Sequence, residues 1–224
     1  MALLIDQYFS KHLNLPYHEA KRLHGEYYTM YGLAIEGLVR HHEIDPLDYN
    51  AKVDDALPLQ DIIKPDPGLR ALLEDIDKDK VTMWLFTNAY VTHGRRVVKL
   101  LGVDDLFDGL TYCDYSGMPL LCKPSRGMYE KAMREAGVDK VEDCFFVGKR
   151  CLPLIRFGTE TNKSPDDSFL NCSKAKEFGW TVAHLVEEGL PVPKKQASQY
   201  QIQSLQELRN TFPQFFKSAK PADA

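Results

Sequence analysis

No stretch of this sequence approaches the roughly 18 consecutive apolar residues that a membrane-spanning helix needs. Its first residues, Met1-Ala2-Leu3-Leu4-Ile5-Asp6, carry no basic region ahead of an apolar one, so neither a signal peptide nor a membrane partner is expected. Charge of one sign is not in excess either. The 28 Lys and Arg residues against 32 Asp and Glu leave a net charge of -4, too weak to attract nucleic acid. The five cysteines (Cys113, Cys122, Cys144, Cys151 and Cys172) are odd in number, and none are spaced as Cys-x-x-Cys. That argues against a disulfide framework or a zinc site and for free thiols in a reducing compartment, the cytoplasm or also the nucleus. No Gly-x-Gly-x-x-Gly follows any apolar run, which disfavours a dinucleotide oxidoreductase. There is no internal repeat.

What the chain does contain is 44% hydrophobic and 27% charged residues over 224 positions, enough for a sizeable globular core. Its grammar changes once. Up to about residue 62 every segment reads as helix: Leu3, Leu4, Tyr8, Phe9 and Leu13 recur at helical spacing. A second helix begins near Pro16 and stops at Gly32, a third spans Leu33 to His42, and Asp45-Pro46 opens a fourth. After Asp66-Pro67-Gly68 strands and helices alternate. Strands are expected at 81–86, 109–112, 144–147 and 180–185, and helices at 69–75, 92–101, 125–136 and 173–178. This is the pattern of an α/β fold with an open parallel sheet. One amphipathic stretch, Leu205 to Phe216, follows a polar linker, and residues 217–224 read as a disordered tail.

Three polar clusters follow apolar runs or lie close to them. Thr87-Asn88 directly after Trp84-Leu85-Phe86 offers a hydroxyl and a free backbone N–H at a strand end, the donors a phosphate oxygen wants. The same pair also serves as an ordinary strand-to-helix turn. Lys123, before Pro124 and a helix, opposes the helix dipole, so either an anion or simple solvation accounts for it. Asp166-Asp167-Ser168 brings two carboxylates together, a set that magnesium selects and that loops and caps also use. Taken in order, a hydroxyl, an ammonium and paired carboxylates suit a magnesium-held phosphate.

In order and type these clusters resemble motifs II, III and IV of the haloacid-dehalogenase (HAD) superfamily. The segments Tyr31-Gly32-Leu33-Ala34-Ile35-Glu36-Gly37-Leu38, Asp54-Asp55-Ala56-Leu57-Pro58-Leu59-Gln60-Asp61, Trp84 to Tyr90 and Leu106 to Tyr115 are similar to the fungal pyrimidine 5′-nucleotidase branch. The resemblance implies a Rossmann-like three-layer core at 63–216, lacking its first strand, with a helical cap at 1–62. It implies a phosphohydrolase that uses Mg2+ and acts on a small-molecule pyrimidine nucleoside monophosphate such as UMP or CMP. Thr87, Asn88 and Lys123 would bind the phosphate, Lys123 would also act in catalysis, and Asp166 and Asp167 would hold the metal. In such enzymes the first aspartate of an Asp-x-Asp at the end of a strand attacks phosphorus, and the second is general acid and base.

Two departures qualify these expectations. No apolar strand ending in Asp-x-Asp appears near the N-terminus, and Asp6 lies mid-helix, so this chain alone is expected to be inactive. Losing a nucleophile costs on the order of 10⁶ in kcat. Between Val147 and Asp166, residues 148–165 also interrupt the spacing expected of the branch. They are expected to form an irregular, extruded loop, and an imperfect gene model accounts for both departures. The competing function is a catalytically dead protein that binds phosphate or nucleotide in a regulatory role.

Overall fold

A computed structural model describes residues 1–149, 167–186 and 195–218 of the chain. Ten α-helices and five strands occur among them, in the order helices first, then alternation. Ala2–His12 (α1), Tyr17–Tyr31 (α2), Ala34–His41 (α3), Pro46–Tyr49 (α4) and Leu59–Ile62 (α5) fill the first 62 residues. Their boundaries have local causes. The Asp45 side chain accepts the Leu47 N–H at 2.9 Å with Pro46 in the first turn of α4, a favourable N-terminal cap. Gly32 closes α2 at φ 76°, in the left-handed region that glycine enters without penalty. Between α4 and α5 the backbone makes a single π-helical turn, Asn50–Asp54.

Helix Pro67–Glu74 (α6), capped by Asp66 on the Leu69 N–H, leads into strand Trp84–Phe86 (β1). Val91–Leu101 (α7) then precedes Gly109–Thr111 (β2). Arg126–Ala136 (α8) is followed by Phe145–Lys149 (β3), Asp167–Phe178 (α9), Thr181–Leu185 (β4), Tyr200–Ile202 (β5) and Leu208–Thr211 (α10). All ladders between these strands are parallel, but they form two sheets. β1 pairs with β2, placing Phe86 beside Thr111. The other sheet runs β3-β4-β5. Among the described residues no ladder joins β1 to β3. The sheets meet instead through side chains: the Phe86 and Phe146 ring centroids lie 6.0 Å apart, and both rings contact Trp180.

The hydrophobic core divides accordingly. Ile5, Phe9, Ala34, Ile35, Leu38 and Val53 from the helical segment bury together with Cys113, Tyr115, Leu120 and Cys122, so the helices are seated on the chain that leaves β2. Tyr129, Ala132, Cys172, Ala175, Trp180 and Val182 form a second cluster between α8, α9 and β4.

Four expectations are corrected. The strand expected to end at Val147 continues through Gly148 and Lys149, which pair with His184 and Leu185. The interruption expected at 148–165 therefore begins inside the sheet, and residues 150–165 lie outside the described residues. Helix α9 starts at Asp167, six residues earlier than Ser173, so Asp167 and Ser168 belong to a helix rather than to a loop before one. The linker after Lys194 contains a strand, β5, too short and polar at Tyr-Gln-Ile to show a strand pattern. The stretch from Leu205 to Phe216 is not one amphipathic helix but a 3-10 turn, the four-residue α10 and a further 3-10 turn. Of the expected tail, residues 219–224 lie outside the described residues.

Candidate functional site

At the carboxyl end of β1 the chain turns sharply into α7. The Thr87 N–H still pairs with the Thr111 carbonyl at 3.0 Å, completing the parallel ladder. Its hydroxyl accepts the Ala89 N–H at 3.0 Å and so holds the turn. Asn88 reaches across to the segment before α8. Its Nδ2 donates to the Lys123 carbonyl at 2.8 Å, and its Oδ1 accepts the Lys123 N–H at 2.7 Å. One side-chain amide thus satisfies both backbone groups of one residue, which fixes where Lys123 begins.

The Lys123 side chain is buried, with 7% of its surface exposed. Its Nζ donates to the Phe86 carbonyl at 2.7 Å. It also stands 4.4 Å from the Phe86 ring centroid and 5.5 Å from that of Phe146. Ring faces attract a cation by their quadrupole, which offsets part of the cost of desolvating the ammonium. The charge therefore sits between Phe86 at the end of β1 and Phe146 on β3. Thr87 and Asn88 follow β1, and Lys123 is bonded to Asn88 and to Phe86 just before them. Asp166 lies outside the described residues, and of Asp167 the structure describes the backbone only, at the first position of α9.

Among the described residues no group of three or more His, Cys, Asp or Glu side chains is placed to hold a metal ion. They do not by themselves make a magnesium site.

Sequence reasoning missed two groups. The first is Gly32: a Cβ there would stand 2.8 Å from Pro124 Cδ and 3.1 Å from the Lys123 carbonyl. Only a glycine lets the end of α2 approach Lys123-Pro124 so closely. Its signal was present, read as a helix stop. The second group surrounds the π-helical turn. The Asp54 carboxyl, 5% exposed, is pushed up to about 6 by burial and by the adjacent Asp55, while a hydrogen bond from Tyr115 opposes the shift. His93, in the first turn of α7, is pushed below its ordinary value by burial, and its ring hydrogen-bonds the backbone of Asp54. Asp54-Asp55 stood in the sequence as a recognisable pair, but nothing in its pattern shows that it meets α7.

A model of haloacid dehalogenase-like hydrolases matches residues 4–149, more than half of the chain. This chain belongs to that family. Phosphate metabolism protein 8 of Saccharomyces cerevisiae is 37% identical over 194 residues, covering 82% of this chain and 54% of that protein. The chain thus spans about half the length of this curated relative. Among solved structures, a dehalogenase with an intermediate complex aligns at TM-score 0.53 and 16% identity, covering 96% of this chain and 92% of its own. A HAD phosphatase from Thermococcus onnurineus aligns at TM-score 0.53 and 18% identity, covering 94% and 87%. These two show the α/β HAD-like fold. Among the described residues, no helix is long and apolar enough to cross a membrane.

Proposed function

We propose that the chain carries the phosphate-binding half of a HAD phosphohydrolase acting on pyrimidine nucleoside 5′-monophosphates such as UMP and CMP. One observation carries this reading: Asn88 clasps the backbone of Lys123, and the Lys123 ammonium reaches the carboxyl end of β1 beside Thr87. Ligands of open parallel sheets gather at that edge. Thr87 and the backbone N–H groups that open α7 would take phosphate oxygens, and Lys123 would balance their charge. Residues 1–62 would serve as the cap, and 63–216 as the core. Mg2+ remains part of the proposal, with Asp166 and Asp167 as its ligands, and would neutralise charge on the phosphate. The cytoplasm, or the nucleus, would be its place of action.

Turnover needs a nucleophile, and among the described residues no strand ends in Asp-x-Asp. Among the described residues no ladder joins β1 to β3, and one further parallel strand set between them would end beside Lys123. For these 224 residues alone this favours a second reading, phosphate or nucleotide binding without turnover in a regulatory role. The test is to extend the chain N-terminally by an apolar strand ending in Asp-x-Asp and to follow phosphate release from UMP and CMP. The extended protein should turn over and be stopped by EDTA, and Lys123→Ala should lower kcat by about a hundredfold or more, the scale of losing one preorganised charge. An inert extended protein, or one indifferent to Lys123→Ala, would overturn the hydrolase reading.

A further inference from the structure

The polar groups around the π-helical turn are more than the interface needs. Several hydrogen bonds tie the turn and Asp55 to one another and to α7. Asn50 Nδ2 donates to Asp55 Oδ2 at 2.8 Å, and the Thr92 hydroxyl donates to Asp55 Oδ1 at 3.0 Å. The Arg96 guanidinium donates to the carbonyls of Asp55 and Leu57 at 3.1 and 3.0 Å. The accounting is nevertheless incomplete. Asn50 is 5% exposed, yet its Oδ1, on the branch opposite the bonded Nδ2, has no hydrogen-bond partner among the described residues. The buried His93 Nδ1 also has none. Asp54 belongs to the same turn as Asn50 and is hydrogen-bonded through its backbone to the His93 ring. Buried polar atoms are rarely left unpaired, because each costs its full desolvation. π-helical turns, in turn, concentrate at functional sites.

The position is also suggestive. Tyr90 caps α7, three residues after Thr87, and stacks on Tyr115 with centroids 5.3 Å apart. Tyr115 is the residue that hydrogen-bonds Asp54. Stacking of Tyr90 on Tyr115 therefore ties the start of α7, close in sequence to Thr87, to the turn.

We infer that Asn50, Asp54 and His93 form a subsite for the hydroxyl groups of the sugar in the phosphate ester. The chemistry is complementary. An amide oxygen and a carboxylate accept from hydroxyl protons, and an imidazole nitrogen accepts or donates according to its tautomer. A sugar diol supplies both roles at once, whereas an aliphatic ester supplies neither. The inference rests on the phosphate-site reading above and adds the class of group that site would select.

The test uses the full chain and measures binding by calorimetry, so no turnover is required. Inorganic phosphate, propyl phosphate and ribose 5-phosphate are compared at one pH. Ribose 5-phosphate should bind about tenfold tighter than propyl phosphate, the scale of one or two net hydrogen bonds. Asp54→Asn and, separately, His93→Gln should shrink that preference severalfold while leaving the affinity for inorganic phosphate unchanged, with thermal melts confirming that each variant is folded. Equal binding of the two esters to the unaltered chain overturns the sugar subsite and leaves the phosphate cradle standing. So does a preference that both substitutions leave intact. Failure of inorganic phosphate itself to bind overturns the cradle and the subsite together.

Discussion

Asn88 is the residue on which the candidate site depends, because it bonds both backbone groups of Lys123. Asn88→Ala removes two partly buried hydrogen bonds and leaves an N–H and a carbonyl to find other partners. The expected cost is about 1–3 kcal/mol, read as a lower urea midpoint at unchanged slope. An unshifted midpoint would show that the clasp is incidental. Asp54 makes a prediction of opposite character. Burial first, and Asp55 second, raise its carboxyl to about 6 in the folded chain, against roughly 4 when unfolded. The folded state therefore holds a proton that the unfolded state releases. Stability from this group is full below about pH 4 and is lost as pH rises to about 6, by about 3 kcal/mol in all. Asp54→Asn should flatten that slope and be the more stable protein at pH 7. Parallel pH profiles for the two proteins would contradict the assignment.

At the scale of elements, helices with strong local signals were legible and pairing partners were not. Asp45-Pro46, Asp66-Pro67 and Gly32 each mark a boundary by backbone chemistry that acts within a few residues, and the structure places helix ends at each. Likewise Thr87, Asn88 and Lys123 stood out because each follows a strand or precedes a helix, although their mutual bonds span 35 positions in sequence. Strand ends depend on neighbours. Gly148 and Lys149 look like the start of a loop in sequence, but β4 offers His184 and Leu185 opposite them and extends the ladder. β5 exists only because β4 has an edge to receive it. The π-helical turn was invisible for the same reason: its polar residues find their partners on α7, about forty positions away. Gly148 gives the sharpest test of this correction. A Cβ there would stand 2.3 Å from the Cys172 sulfur, so Gly148→Ala should lower stability by about 1–3 kcal/mol through overpacking. In a chain of this size that lowers Tm by a few degrees, about 2–4 °C per kcal/mol. A silent substitution would return Gly148 to an extruded loop.

Over the whole molecule, the division into two parallel sheets and the position of the Lys123 ammonium belong to one arrangement. Phe86 closes β1, Phe146 lies on β3, and the cation rests against both rings while bonded to the Phe86 carbonyl. The fold holds the charge at that point, a placement that family membership alone does not assign to any residue. The most direct measurement is residue-resolved NMR of the 224-residue chain titrated with inorganic phosphate, which needs no nucleophile. Saturable shifts are expected at the amides of Thr87 to Thr92 and at the Lys123 side chain only, abolished by Lys123→Ala in a variant that remains folded. Shifts elsewhere, or shifts at Thr87 that persist without Lys123, would contradict that expectation.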